Sequence, residues 1–180
     1  MNNSCSKDIN TNSKAKDIVL SGLLISLVFV ATMFINIRLP ISIHGGLIHL
    51  GSAMVVVISI IFGKKKGTIA AAFGMSLFDL ITGGAQWAPF TFVIKGYMAY
   101  IIGTMAYAKG RNGNSILWNF IGVLFGGVWM IAGYYMAEVF IYGNWFSPIT
   151  SIPGMIVQIV AAMIFGLPAA AALKKTGIKL

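Results

Sequence analysis

Three ionisable residues stand inside apolar runs: Asp79 in SLFDLITGG, Lys95 in FTFVIKGYMAY and Glu138 in YYMAEVFIYG. A charge among so many apolar neighbours is costly unless it is paired, hydrated or kept for a ligand. Lys95 with Asp79 or Glu138 can serve as an internal pair. The other use of an acid and a base is to hold two edges of a polar molecule by charge-assisted hydrogen bonds. Neutral polar groups accompany them at Asn36, His49 and Gln158, and aromatic rings at Trp87, Tyr97, Tyr100, Trp129, Tyr134, Tyr135, Trp145 and Phe146. For Trp87 and Trp145 the alternative role is the interfacial aromatic belt of a membrane protein. Taken together, rings beside an acid and a base suit a flat polar heterocycle.

The same residues do not suit catalysis. The chain has no HExxH, no CxxC and only two histidines, so neither a catalytic set nor a metal site is expected. It has no GxxxxGK[ST] motif, and the GKKKG of residues 63–67 lacks the spacing of a phosphate loop. No cofactor is expected in this chain. Any ATP that drives its work must be used by other subunits.

The elements that position these residues follow from composition. Of 180 residues, 58% are hydrophobic and 9% charged, with a mean hydropathy of +0.87. Soluble domains carry about 25% charged residues, so this is a polytopic membrane chain, with runs near the roughly 20 residues a span requires. Six runs are predicted as helical spans: about 18–35, 50–62, 68–81, 90–108, 116–142 and 152–173. The fold class is therefore an all-α integral membrane protein. Residues 1–16 are predicted as a disordered cytoplasmic tail, 17–175 as the six-helix membrane domain and 176–180 as a cytoplasmic tail. The loop of residues 36–48 holds Pro40 and Gly45-Gly46 yet is apolar, which suits a lid folding back over a cavity.

Charge gives the orientation. All but Arg38 and Lys95 of the 13 basic residues fall before span 1, between spans 2 and 3, between spans 4 and 5, or after span 6. These segments share one side of a six-span chain. The positive-inside rule places them, and both termini, in the cytoplasm of a multi-pass cell-membrane protein. It also accounts for the net charge of +9 without nucleic acid. At about 1.5 Å per helical residue, Asn36, His49, Asp79, Lys95, Glu138 and Gln158 then all lie in the outer half. The inner half has almost no ionisable group. This describes a cup open outward with an apolar floor, and it lacks the polar path that an ion-coupled transporter needs across the midplane.

The stretch HLGSAMVVVISIIFGKKKGTIAAAFGMSLFDLITGGAQWAPFTFVIKG, residues 49–96, resembles the S components of energy-coupling factor (ECF) vitamin transporters. It is most similar to a branch with an HLGDA, a GxKxG turn and a DLxxGxxxWAPxTxxIKG segment. The resemblance implies a six-helix subunit that captures a water-soluble vitamin or precursor outside the cell. It also implies docking on a transmembrane T component with two cytoplasmic ATPase subunits. Helix 1 is the docking face in that family. Here Gly22 and Ser26 are the small residues available on it, without an AxxxA pattern. Ser52 stands where the branch commonly has Asp. The branch points to hydroxymethylpyrimidine or a vitamin B6-like heterocycle, with riboflavin or pantothenate as alternatives.

The expected substrate-binding residues are Lys95, Glu138, Trp87, His49, Asn36, Asp79, Tyr134, Trp145 and Gln158. Competing readings are a stand-alone channel, a membrane-embedded enzyme, and a structural subunit whose charges are all internally paired.

Overall fold

A computed structural model describes residues 2–34, 36–38 and 47–176, with side chains from 14 to 34 and from 50 to 176. The described chain is almost wholly helical. Helix α1 (Asn2–Phe34) is followed by two three-residue strands, β1 (Asn36–Arg38) and β2 (Leu47–His49). Then come α2 (Gly51–Ile81), α3 (Ala88–Tyr107), α4 (Ile116–Tyr142), α5 (Ile152–Ala161) and α6 (Leu167–Lys175), the last two joined by a π-helical turn, Ala162–Gly166. Among the described residues, three helical segments are long and apolar enough to cross a membrane: Lys14–Phe34, Ile116–Tyr142 and Ser147–Lys175.

Helix α2 is two limbs. Gly63 has φ 78° and ψ 179°, a backbone conformation essentially confined to glycine. There the chain turns back so sharply that Gly67 meets Ser59. The sequence predicts a five-residue turn over 63–67, but one residue makes the reversal. Lys64, Lys65 and Lys66 instead open the returning limb, because lysine is a good helix former. Two further differences from the sequence reading concern the first 50 residues. Helix α1 extends back to Asn2 through the polar stretch expected as a tail, which contains no proline or glycine. The 36–48 connection is not wholly loop: Ile37 and Ile48 are partners in an antiparallel ribbon, as are Asn36 and His49. Residues 39–46, the rest of the expected lid, lie outside the described residues, as do 177–180 of the expected C-terminal tail.

The π turn has a cause in the sequence. Pro168 has no N–H to donate, and its ring would press on the carbonyl four residues back. A locally wider turn relieves both. Lipid is as apolar as the side chains, so the bundle is held by packing and not by removing apolar surface from water. One packed cluster joins α1 to both limbs of α2 through Leu24, Val28, Val55, Ile58, Ala71 and Met75. A second joins the first limb of α2 to α3, α4 and α5 through Val56, Ile60, Met98, Ile102, Val123 and Ile159. Large apolar residues also face outward, among them Leu23, Phe34, Phe125, Phe140 and Ile164. That surface belongs in lipid.

The bundle has two unlike ends. At one, Tyr107 Oη donates to Ile61 O (2.7 Å), Lys174 Nζ to Asn112 O (2.7 Å), and Lys66 pairs with Asp17 (2.8 Å). This basic end collects the Gly63 reversal, the 108–115 connection and the end of α6. The opposite end carries the start of α2, the end of its second limb, the start of α3 and the end of α4.

Candidate substrate-binding site

The spacing of residues on α3 and α4 builds this opposite end. Trp87, Thr91 and Lys95 are four apart, and so are Met130, Tyr134, Glu138 and Tyr142. Residues four apart stack along one helix face. The two stripes meet: Tyr134 Oη donates to Thr91 Oγ1 (3.1 Å), and Trp87 packs against Tyr134 and Tyr142 with ring centroids 6.4 and 6.2 Å apart.

Lys95 lies at the bottom of the two stripes and is 1% exposed. Its ammonium donates to Ser52 Oγ (3.0 Å) on α2 and to Met130 Sδ (3.0 Å) on α4, and sits 5.6 Å from the Tyr134 ring centre. Thioether sulfur is a weak acceptor. Among the described residues Lys95 has no carboxylate within ion-pair distance, as the ion pair found is Lys66–Asp17. Asp79 acts on it electrostatically from the end of α2. Its Oδ2 is buried with no hydrogen-bond partner among the described residues. A buried cation with two neutral partners thus stands near an acid with an unused oxygen. A molecule with a donor edge and an acceptor edge can complete both.

Glu138 is buried and accepts from Ser151 Oγ (2.9 Å). Ser151 precedes α5, and Gln158, two turns further on, is buried as well. Trp145 stands on the surface, 61% exposed, and its carbonyl accepts from Tyr135 Oη (2.9 Å). Asn36 and His49 face each other across the ribbon, and their side chains lie outside the described residues. The structure therefore brings together Lys95, Asp79, Tyr134 and Trp87, with Glu138 further along the same stripe. Thr91, Met130, Tyr142 and Ser151 join them without having been singled out in the sequence. For the first three the available signal is the four-residue spacing. Ser151 has no such signal.

Away from the site, Gly22 and Ser26 are exposed on α1. A side chain at Gly22 would meet nothing within 4 Å, and the Ser26 hydroxyl bonds its own helix at Gly22 O (2.9 Å).

Comparison with known proteins bears on this arrangement. The family described as ECF-type riboflavin transporter, S component, matches residues 12–175. The chain belongs to this family. As an S component it is a membrane-integral, substrate-binding part of a vitamin or precursor transporter, which is not an enzyme. It is 32% identical over 139 residues to an uncharacterized protein of the gap 3' region of Pyrococcus woesei, covering 77% of this chain and 88% of that one. It is 24% identical over 167 residues to the thiamine precursor transporter HmpT of Lactococcus lactis subsp. cremoris (strain MG1363), covering 93% of each. The S component assignment agrees with the resemblance carried by residues 49–96.

Proposed function

We propose that this S component captures a small heterocyclic vitamin precursor, of which hydroxymethylpyrimidine or a vitamin B6-like ring is the favoured kind, from outside the cell. The observation that carries this reading is the pairing of buried Lys95, which lacks an acid partner in the described residues, with the unused Oδ2 of Asp79. An aminopyrimidine offers ring nitrogens to the ammonium and an amino group to the carboxylate. Tyr134 and Trp87 would lie against the ring, and Glu138 and Gln158 would hold its substituent. Asn36 and His49 would add neutral hydrogen bonds, and Trp145 would cover the ligand from the rim. The similarity to a thiamine precursor transporter over nearly the full length of both chains supports this substrate class.

The chain would cross the membrane six times, with both limbs of α2 and α3 added to the three long apolar segments and both termini cytoplasmic. The grouping of lysines at one end supports that orientation. Uptake would be driven by a T component and two ATPase subunits that consume ATP. The open, apolar face of α1 around Gly22 and Ser26 would dock on the T component.

A second reading is riboflavin, favoured by the description of the matching family. The deciding experiment is to purify the protein, identify the small molecule that co-purifies, and titrate the emptied protein with hydroxymethylpyrimidine, pyridoxine, thiamine and riboflavin by tryptophan fluorescence. Tight binding of the pyrimidine or pyridoxine with weak riboflavin binding is expected. The reverse order establishes the riboflavin reading, and binding of none of them removes the proposal.

A further inference from the structure

The basic end holds a feature that vitamin capture does not use. A cavity of about 180 Å³ lies between the 113–116 connection, α4 and α6, lined by Asn114, Asn119, Leu167, Lys174 and Lys175 among others. Asn119 is 7% exposed. Its Nδ2 donates to Gly113 O (2.8 Å), while its Oδ1 is buried without a hydrogen-bond partner among the described residues. A buried carbonyl oxygen of this kind calls for a donor.

The cations beside it are only partly satisfied. Lys174 crosses directly over Gly113, where a Cβ would lie 3.2 Å from its Cε, and Gly113 itself has φ +74°. The ammonium reaches Asn112 O and lies 5.6 Å from the Tyr107 ring centre. Lys175 is exposed and makes no hydrogen bond or ion pair with the described residues. Among the described residues no carboxylate pairs with Lys174 or Lys175, since Asp17 is engaged by Lys66. Ile116, which lines the cavity, is 66% exposed, and its neighbour in the chain, Leu117, is 62% exposed.

We propose that this cavity is a headgroup site for an anionic phospholipid whose headgroup carries a free hydroxyl. The phosphate meets Lys174 and Lys175, the headgroup hydroxyl donates to Asn119 Oδ1, and the acyl chains run along Ile116 and Leu117. A soluble phosphate ester offers the same polar groups but has nothing to place on the apolar mouth. Basic pockets between helices at a membrane surface attract acidic headgroups in this way.

Native mass spectrometry of the full chain, released from micelles containing phosphatidylglycerol, phosphatidic acid or phosphatidylcholine, tests it. Phosphatidylglycerol is expected to be retained about 10-fold better than phosphatidylcholine, with phosphatidic acid between them because it lacks the headgroup hydroxyl. Glycerol 3-phosphate added in excess should not displace the lipid. Lys175→Gln, which removes no bond among the described residues, should cut the preference several-fold, and the Lys174→Gln/Lys175→Gln pair should abolish it while vitamin binding is kept. Equal retention of the charged and neutral lipids overturns the proposal. So does a preference that survives the double substitution, or displacement by glycerol 3-phosphate, which would mark a site for soluble phosphate esters.

Discussion

Lys66 and Lys95 belong to the same chain and live under opposite terms. Lys66 opens the returning limb of α2, where a cation opposes the helix dipole. The protein compensates it fully: the Asp17 carboxylate at 2.8 Å, the Asp17 carbonyl at 3.0 Å and the Ser21 hydroxyl at 3.1 Å surround its ammonium. Lys95 is far more deeply buried, yet it receives a hydroxyl and a thioether. The partly buried lysine is thus better partnered than the fully buried one. Where charge serves the architecture, the fold completes the pair itself. At Lys95 the pair is left open, and Asp79 with its unused oxygen is the other half of that opening; on the proposed reading a ligand completes it.

Substitutions can break this contrast. Lys95→Met should weaken vitamin binding by about 10-fold or more, since a charge-assisted bond is lost. Its thermal unfolding temperature should hold or rise, because a buried charge is replaced by apolar volume. Fluorescence titration and a thermal scan in the same micelle read both quantities, and unaltered affinity removes Lys95 from the site. Asp79→Asn should cost several-fold to about 10-fold in affinity, concentrated on ligands with an amino or hydroxyl donor. A series lacking that donor, titrated against wild type and variant, should show no such loss. Ser52→Asp would supply Lys95 with the acid it lacks. The ligand-free protein should then unfold at a higher temperature, while affinity falls about threefold as the new carboxylate competes for the ammonium. Lys66→Met should have the smallest effect: no change in affinity, and at most about 1 kcal/mol of stability measured by denaturant titration in micelles.

The sequence made some of this legible and hid the rest for physical reasons. The limits of α4 follow from an uninterrupted apolar run between Ser115 and Gly143, and the observed helix is Ile116–Tyr142. Shared depth led to Lys95, Asp79 and Glu138 because a charge in an apolar run is visible without coordinates, and Tyr134 was reached as one of the rings beside them. Depth alone does not give azimuth. Thr91 and Met130 are found only by asking which residues share a face with Lys95 and Tyr134, and the four-residue spacing answers that. The single-residue reversal at Gly63 was hidden because three lysines in a row read equally well as a loop and as the first turn of a helix. The ribbon of β1 and β2 was hidden because three residues carry too short a pattern for alternation to show. Ser151 was beyond reach, since its contact with Glu138 depends on how α5 returns beside α4.

The π turn at Ala162–Gly166 acts as a phase correction. Gln158, Ala162, Gly166, Ala170 and Lys174 recur every fourth residue, and the first four are buried while Lys174 is half-buried. In a regular α-helix such a series drifts by roughly 40° each turn, so over four turns its ends would face nearly opposite ways. The widened turn takes back part of that drift. One continuous arm can then present Gln158 toward the end that holds Glu138 and Lys174 toward the basic end from the same side. Inserting one alanine between Ala169 and Ala170, in the regular helix beyond the widened turn, would rotate the rest of α6 by roughly 100°. Lys174 would leave Asn112 for the lipid face, while the geometry at Gln158 would be untouched. Cysteine accessibility at position 174, probed in membranes before and after the insertion, would register the rotation directly.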